Sequence, residues 1–465
     1  MLLQQPATTV IPDPNDAISR GFGPFAGGDF NGDGYADLAI GAVDYSLGGS
    51  GEVWVHNGSS GGVSLSASQT LSNSGAASFG YSLLCADFDG DGYDDLAVGG
   101  PNENGDTGAV WVYLGSSSGL QAAGSIAGTP SGNAAVGALF GIVLAAGDVD
   151  ADGDDELFVS ATGQNSWGGE IYVYDGGAGG PFTLLYDMPQ PSGTYQGWAL
   201  AVGDLDGDGL EDLAVGSAME EVNVYLAGSG LPSNYVDWTL YGASGANNFG
   251  EALVYLEDSD GDGQGELAVS ADAANYGAGE VQIYGGGTNL ITTLGGATAN
   301  LGLGCSLSTL DSNGDGLSDL LAGACATSSL IPYQVQLFEG SAGSLVASTS
   351  LVPATSNSGY RYPAGLGDVN GDGFDDAALL AYSPREAWIL LGDADSDGDG
   401  TGDRTDCAPT DAAIHPGATE VCDGVDNNCD GSTDEGIPAL TWYSDADGDG
   451  YGDPAQSQSD CGQPT

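Results

Sequence analysis

The stretch Asp-Phe-Asn-Gly-Asp-Gly-Tyr-Ala-Asp, residues 29 to 37, decides the fold of this 465-residue chain. Oxygen-bearing side chains stand at positions one, three, five and nine, and glycine stands at position six. Glycine there lets the backbone turn sharply, so that the four side chains surround one point. With a backbone carbonyl at position seven, this oxygen-rich set suits a cation of the size of Ca²⁺. The stretch therefore predicts a calcium loop.

The same nine-residue pattern returns six more times, with first residues 53 to 61 positions apart. So steady a period indicates one structural unit repeated seven times. An EF-hand would place its last ligand at position twelve, before a helix, whereas the last ligand here is at position nine. The predicted ligands of the seven loops are Asp29, Asn31, Asp33 and Asp37; Asp87, Asp89, Asp91 and Asp95; Asp148, Asp150, Asp152 and Glu156; Asp204, Asp206, Asp208 and Asp212; Asp258, Asp260, Asp262 and Glu266; Asp311, Asn313, Asp315 and Asp319; and Asp368, Asn370, Asp372 and Asp376.

The residues that follow the loops read as short strands. An apolar run such as 38–42 or 96–100 comes first, and about ten residues later an alternating run such as 52–55 or 170–174 follows. Period two with Val, Ile and aromatic residues is typical of strands. Each unit is predicted to hold an inner strand, the loop, a second strand, a third strand and a weaker fourth.

A Phe-Gly pair precedes several loops, as in Phe79-Gly80, Phe140-Gly141 and Phe249-Gly250. With the loops and strands, these pairs resemble the FG-GAP repeats of the integrin alpha-subunit head, a seven-bladed β-propeller that carries Ca²⁺ in some blades. The resemblance covers about residues 20 to 391 and implies an all-β, seven-bladed propeller. Gln196-Gly197 and Tyr360-Arg361 stand in place of the pair in the fourth and seventh units.

The last unit lacks a fourth strand of its own, and a bare strand edge promotes aggregation. The segment 3–11 has no other predicted partner. We expect it to form the outermost strand of blade seven, beside the strand around Trp388, and so to complete a propeller domain at residues 1–392. A disordered amino-terminal arm is the alternative, which Pro6 and nearby prolines favour.

Residues 393–465 change character and hold four of the seven cysteines. Too few apolar residues are present for a core, so this irregular region is predicted to be held by disulfides and metal ions. Its start resembles a thrombospondin type 3 repeat. Residues 406–431 resemble the MopE-type metal-binding repeat of secreted proteins of Gram-negative bacteria, which implies a bacterial source. Copper is disfavoured, because His415 alone would be a weak copper site. The predicted ligands are Asp395, Asp397, Asp399 and Asp403; Asp426, Asn428, Asp430 and Asp434; and Asp445, Asp447, Asp449 and Asp453.

The charge of the chain restricts its partners and its compartment. Only 4 basic residues oppose 66 acidic ones, which gives a formal charge of −62. Nucleic acid binding needs basic residues that are absent, and anionic membranes are disfavoured for the same reason. Cations must offset the self-repulsion. Weak calcium sites fill only where Ca²⁺ is millimolar, which predicts an extracellular or cell-surface location.

No apolar run approaches the length of a membrane-spanning helix, and the first twenty residues lack the features of a secretion signal. The chain stops four residues after Cys461, which predicts a monomeric propeller within a longer native protein. Cys305 and Cys325 flank the sixth loop symmetrically and are expected to form a disulfide, with two buried thiols as the alternative. Cys85 is expected in the core. The pairing in the tail stays open.

Catalysis is not expected, since the chain has two histidines and no lysine. His56 is expected on an exposed strand face, and His415 in a turn. Among the tryptophans, Trp167 in a loop is the candidate ligand contact, and most others are expected in blade cores. The sequence thus predicts a calcium-binding adhesion or recognition module for a surface protein or glycan. A structural spacer, or a non-catalytic accessory domain of a polysaccharide-degrading enzyme, is the alternative.

Overall fold

A computed structural model describes most of the chain. The described residues are 9–12, 20–44, 50–128, 137–177, 182–190, 193–228, 231–233, 235–242, 248–325, 333–351, 360–382, 385–393, 403, 406–416, 418–429, 431–434, 436–437, 440–443, 445, 448, 450–453, 455 and 457–460. The chain divides into two compact units, with the boundary between Gly392 and Asp393.

The larger unit consists of seven antiparallel sheets of four strands each, so the chain forms an all-β, seven-bladed propeller. From the innermost strand outward, the blades are β2 (Arg20–Gly28), β3 (Asp37–Asp44), β4 (Ser50–His56) and β5 (Gln69–Ala77); β6 (Ser82–Ala86), β7 (Asp95–Gly100), β8 (Ala109–Leu114) and β9 (Gln121–Ala127); β10 (Phe140–Gly147), β11 (Glu156–Ala161), β12 (Glu170–Asp175) and β13 (Thr183–Pro189); β14 (Gln196–Gly203), β15 (Asp212–Ser217), β16 (Glu221–Tyr225) and β17 (Trp238–Tyr241); β18 (Phe249–Leu256), β19 (Glu266–Ala271), β20 (Glu280–Gly285) and β21 (Asn289–Gly295); β22 (Leu303–Leu310), β23 (Asp319–Ala324), β24 (Gln334–Glu339) and β25 (Val346–Leu351); and β26 (Tyr360–Gly367), β27 (Asp376–Tyr382), β28 (Arg385–Leu390) and β1 (Thr9–Pro12).

The seven innermost strands close a ring, because each contacts the innermost strand of the next blade and β26 contacts β2. Second strands such as β7 and β15 are buried along their whole length, on both faces of the sheet. The hydrophobic clusters join residues of adjacent blades, so apolar burial between blades stabilises the ring. Three short helical turns, α1 (Glu103–Asp106), α2 (Gln164–Trp167) and α3 (Ala274–Gly277), connect second to third strands.

The first strand of the chain completes the last blade. β1 pairs antiparallel with β28, with Thr9 opposite Ile389 and Val10 opposite Trp388. The Ile11 side chain is 2% exposed and packs in the cluster between blades seven and one. Residues 3 to 8 of the predicted closing segment lie outside the described residues. Both ends of the propeller sequence thus meet in one sheet.

A register shift interrupts the innermost strands just after the Phe-Gly position, for instance between Phe249 and Leu253. The glycine of the pair has a left-handed φ, as at Gly250 (φ 83°). In blade seven this conformation falls on Tyr362 (φ 49°), and Arg361 pairs with Leu380 before the shift. The assignment of Tyr360-Arg361 to the Phe-Gly position is therefore wrong by one residue.

The smaller unit has little regular structure among its described residues. Its strands β29 (Leu440–Tyr443) and β30 (Ser457–Asp460) pair antiparallel. A disulfide joins Cys407 to Cys429, and Cys422 is also in a disulfide. In the propeller, the predicted disulfide between Cys305 and Cys325 is confirmed, with an S–S distance of 2.04 Å.

Deleting residues 1–12 should lower the melting temperature of the propeller and promote association, because blade seven would lose its outer strand and expose the edge of β28. Thermal melts and light scattering measure the two effects. Ile11→Val is the matched control, because it keeps the strand and should cost only about 1 kcal/mol. A deletion variant that stays monomeric and melts with the parent would contradict this role for β1.

Candidate functional site

The seven predicted loops each connect the first strand of a blade to its second strand, so all seven lie at one end of the ring. In every loop the first aspartate organises the turn, because Oδ2 accepts the N–H of position six. These bonds join Gly34 to Asp29 (2.8 Å), Gly92 to Asp87 (2.9 Å), Gly153 to Asp148 (3.2 Å), Gly209 to Asp204 (2.8 Å), Gly263 to Asp258 (3.0 Å), Gly316 to Asp311 (3.0 Å) and Gly373 to Asp368 (2.7 Å). The repeated sequence thus folds into one repeated local geometry.

Positions four and six of the loops both have left-handed backbone conformations. Position six is always glycine, with φ from 81° to 100°. Position four is glycine except at Ala151, where φ is 59°. The sequence pattern did not include position four, although this conformation favours glycine there as well.

The carboxylate at position nine is buried in every loop, with at most 1% of the residue exposed. In six loops it accepts the N–H of position two, at 2.8 to 3.0 Å. Where position nine is aspartate, the other oxygen accepts an N–H just after the third strand, as Asp95 does from Gly115 (2.7 Å). The position-nine side chain therefore fixes the loop to the body of its blade.

Burial raises the pKa of all seven position-nine carboxyls, and nearby acids raise it further: acids of the same loop in six cases, and Glu339 in the case of Asp319. The pKa rises to about 6 for Asp37 and Asp212, to about 7 for Asp95, Glu266, Asp319 and Asp376, and to about 8 for Glu156. Buried carboxylates in a cluster of like charges are costly unless a cation or a proton neutralises them.

Several loops bring their carboxylates within metal-ligating distance of one another. In blade five, all four predicted side chains offer oxygens within 4.8 Å of each other: Asp258, Asp260, Asp262 and Glu266. In blade two the group holds positions one, three and nine, and in blade three Glu156 belongs to two overlapping groups, one with Asp148 and Asp150 and one with Asp152 and Asp154. In blade one, Asn31 donates its amide N–H to Asp37 (2.9 Å).

Glu156 tests whether these groups fit a cation. Its Oε2 accepts the Val149 N–H at 3.0 Å. Its Oε1 has no hydrogen-bond partner among the described residues. Because Glu156 has no exposed surface, this oxygen is not hydrated by bulk solvent either. A buried oxygen of this kind beside two further carboxylates fits an oxygen-liganded cation, since leaving it unsatisfied costs free energy.

Two of the described tail loops share the geometry of the propeller loops. Gly431 donates its N–H to Oδ2 of Asp426 (2.8 Å), and Gly450 does so to Asp445 (3.0 Å). Asp434 accepts N–H groups of residues 423 and 424. The predicted ligands Asp395, Asp397, Asp399, Asp430, Asp447 and Asp449 lie outside the described residues. His415 lies in a turn, where its carbonyl accepts the Ala418 N–H (2.9 Å).

The end of the ring opposite the loops carries exposed aromatic side chains. Trp167 and Tyr195 stack with ring centroids 6.3 Å apart, and the Tyr195 carbonyl accepts the Ala218 N–H (3.3 Å). Ala218 lines a cavity of about 120 Å³ together with Trp198, Ser217, Asn248 and Glu251. We call Trp167, Tyr195 and Trp198 the aromatic surface; each is 37 to 48% exposed.

Trp198 is an exception to the expectation that most of the tryptophans lie in blade cores. It lies at the register shift of β14, between Gln196 and Ala199, and its side chain is exposed. One expectation for side-chain burial was wrong. His56 was expected on an exposed face, but it is 3% exposed and its Nδ1 lies 2.8 Å from the Ser64 carbonyl oxygen. Burial lowers the pKa of His56. Cys85 is a free thiol that packs against the core between blades one and two.

Family models match both parts of the chain. Residues 25–56 and 79–113 match the FG-GAP repeat, residues 148–215 match the FG-GAP-like repeat, and residues 406–435 match the MopE-type metal-binding motif. The chain thus contains FG-GAP repeats followed by a metal-binding motif.

The sequence relatives include integrin alpha subunits. Integrin alpha-4 of Xenopus laevis is 31% identical over 159 residues, which cover 32% of this chain and 15% of the relative. Integrin alpha-PS2 of Drosophila melanogaster is 32% identical over 266 residues, 54% of this chain and 16% of the relative. Phosphatidylinositol-glycan-specific phospholipase D of Rattus norvegicus is 35% identical over 173 residues, 33% of this chain and 20% of the relative. The aligned segments span a fifth or less of these relatives.

Solved structures agree on the fold alone. Raptor of Chaetomium thermophilum superposes with a TM-score of 0.54 at 12% identity, over 84% of this chain and 29% of that one. BBS1N, in its complex with ARL6DN, gives a TM-score of 0.50 at 13% identity, over 83% of this chain and 96% of that one.

Together, the metal-binding motif and the integrin-like repeats indicate divalent-cation binding, and the integrin relatives indicate a recognition or adhesion module.

The raised pKa values predict opposite effects of pH with and without a cation. Without metal, the folded state holds protons that the unfolded chain loses, so stability should fall as pH rises from about 4 to about 8. A cation needs ionised carboxylates, so its stabilising effect should grow over the same range. Thermal melts in metal-free buffer and in millimolar Ca²⁺, at pH 5 and pH 8, measure both trends. A Ca²⁺-induced shift of equal size at the two pH values would contradict this reading.

Proposed function

We propose that this chain is a calcium-stabilised, non-catalytic module for adhesion or recognition outside the cytosol. The observation that carries the proposal is the burial of seven position-nine carboxylates, each beside other acids at the same end of the ring. In each loop, a cation would bind the carboxylates that otherwise repel one another. It would thereby hold the loop against the second strand, which begins at position nine. The opposite end of the ring then presents a rigid surface to a ligand.

Calcium is the cation that the donors fit best. The predicted ligands at positions one, three, five and nine are oxygen atoms only, and Ca²⁺ accepts six to eight oxygens in flexible geometry. We assign about seven ions to the propeller loops and further ions to the tail loops. At free Ca²⁺ tenfold above Kd, each site would stabilise the fold by about 1.4 kcal/mol. Seven such sites would approach the total stability of a typical domain.

The disulfides support a location outside the cytosol. The Cys305–Cys325 and Cys407–Cys429 disulfides are typical of oxidising compartments. No helix among the described residues has the length and apolar character needed to cross a membrane. We infer an extracellular or cell-surface protein, with a propeller at residues 1–392 and a metal-binding repeat region at residues 393–465. We expect no nucleic acid partner and a monomeric propeller.

The ligand site is assigned to the aromatic surface. Exposed Trp and Tyr rings dominate the energetics of many interfaces, because each buries a large apolar area. Trp198 is exposed, although its neighbours Gly197 and Ala199 in the same strand are buried. Since burying an aromatic ring is favourable, a ligand that covers Trp198 would gain free energy. Beside it, Asn248 and Glu251 offer hydrogen-bonding groups. Such a surface suits either a glycan or a surface protein.

An array of glycans and extracellular matrix proteins, probed with the full chain with and without Ca²⁺, tests the proposal. We expect Ca²⁺-dependent binding to one class, and at least a tenfold weaker signal for Trp198→Ala, since an interface anchor is worth about 1.4 kcal/mol or more. Tyr235→Ala is the matched control, because Tyr235 is 83% exposed and lies between the third and fourth strands of blade four.

The outcomes separate the alternatives. Binding that the Trp198 variant retains in full would contradict the assigned surface. No binding to any glycan or protein, with a normal calcium-dependent melt, would contradict recognition and favour a structural spacer. Binding restricted to plant or microbial polysaccharides would favour an accessory domain of a polysaccharide-degrading enzyme.

A further inference from the structure

In four of the seven loops, the side chain at position eight reaches the preceding blade. It is an acid whose carboxylate accepts the backbone N–H of position one in the preceding loop. Asp94 accepts from Asp29 (2.6 Å), Asp155 from Asp87 (3.2 Å), Asp375 from Asp311 (2.9 Å), and Glu211 from Asp148. The nine-residue pattern leaves this position unspecified.

The same pairs of loops are also joined through the main chain. The N–H of Asp94 donates to the Asp29 carbonyl (3.3 Å), and the N–H of Asp155 donates to the Asp87 carbonyl (3.0 Å). Residue Asp29 is therefore held by two hydrogen bonds to one residue of the next loop. That residue directly precedes Asp95, the buried position-nine carboxylate of the next loop. A change in the geometry of one first aspartate thus reaches a predicted ligand of the neighbouring loop across a single peptide unit.

Aromatic side chains add a second contact between neighbouring loops. Tyr93, at position seven of the second loop, lies so close to Gly32 in the first loop that a Cβ there would be 2.3 Å from the ring. Tyr35 lies in the same way against Gly371, and Phe374 against Gly314. The loops are therefore in contact around much of the ring, and no loop of these pairs can rearrange alone.

The third loop shows that the linked loops also have a place for a cation. It lies between two of the links, since Asp155 reaches back to Asp87 and Glu211 reaches back to Asp148. This loop holds Glu156, whose buried Oε1 has no hydrogen-bond partner in the described part of the chain and lies near oxygens of Asp148 and Asp150.

We propose that the position-eight carboxylates Asp94, Asp155, Glu211 and Asp375 are positioning residues that couple neighbouring ion loops, so that the loops take up Ca²⁺ cooperatively. The inference rests on the proposed calcium binding. An ion that fixes the first aspartate of one loop also fixes the residue that precedes position nine of the next. The second ion then meets a loop that is already ordered, which is positive coupling between sites.

Three loops have no acid at position eight, so we expect weaker coupling between each of them and the preceding loop. Position eight is Ala36 in the first loop, Gly265 in the fifth and Ser318 in the sixth. Ala36 donates only its N–H, to the Asp368 carbonyl (2.9 Å), and at Gly265 the space is filled by the Tyr255 ring. The Ser318 hydroxyl accepts the Glu257 N–H (3.1 Å), and the Ser318 N–H donates to the Asp258 carbonyl (2.7 Å), so loops five and six are linked without a carboxylate. The carboxylates themselves join loops one to four in one arc and loops six and seven in a second.

Calcium titration of the metal-depleted full chain by isothermal calorimetry tests the coupling. The double variant Asp94→Ala with Asp155→Ala should take up the same number of ions with a shallower isotherm. The free Ca²⁺ needed to half-saturate the linked loops should rise about fivefold or more, the usual range for coupled sites. The double variant Asp94→Asn with Asp155→Asn should restore the wild-type isotherm, because the amide oxygen still accepts the N–H.

The double variant Asp187→Ala with Glu220→Ala is the charge-matched control, since both acids are exposed and lie outside the ion loops. An alanine double variant whose isotherm superimposes on that of the wild type would overturn the proposal. Asparagine variants as defective as the alanine variants would also overturn it, because loss of charge would then explain the effect. Should the alanine double variant not fold, Asp94→Ala against Asp94→Asn gives the same comparison. A wild-type chain that binds no Ca²⁺ would instead refute the proposed function itself.

Discussion

Like charges concentrated at one end of the ring are the constraint on which the rest of the structure depends. Each blade buries a carboxylate at position nine, and in blades two, three and five oxygens of further acids lie within 4.8 Å of it. The backbone N–H groups of positions two and six satisfy part of this charge, as Asp95 and Asp87 show. They cannot neutralise it, since the chain has 66 acidic residues and 4 basic ones. A divalent cation in each loop would offset the charge where it is most concentrated and would link the carboxylates of that loop.

Ring closure makes this local chemistry a property of the whole propeller. The hydrophobic clusters lie between blades, so each blade needs both neighbours, and β1 supplies the last strand of blade seven. The loops add polar links between blades at one end. At the other end, register shifts of the inner strands expose residues such as Trp198. A loss of order in the loops would therefore reach the aromatic surface through the strands that connect the two ends.

Much of the fold could be predicted from the sequence because the nine-residue pattern is local. Its glycines and aspartates determine the turn within one loop, and the flanking runs determine the strands. The ring closure was predictable because blade seven lacks a fourth strand while the amino terminus offers one.

The remainder depends on neighbours that are distant in the sequence. Asp94 acts on Asp29, which belongs to another blade, so position eight had no signal within its own loop. His56 was misassigned because strands of a propeller blade pack on both faces, and alternation then does not distinguish an exposed face. Trp198 departs from the burial expected for most tryptophans because it lies at a register shift, where its side chain is exposed. In blade seven, the same shift moves the left-handed residue to Tyr362.

We propose that each of the seven propeller loops holds a calcium ion. An anomalous difference map from crystals of the full chain grown in millimolar Ca²⁺ tests it most directly, because it locates each ion. We predict seven peaks in the propeller, each among the side chains at positions one, three, five and nine of one loop. Propeller loops without peaks, in crystals that contain Ca²⁺, would contradict it.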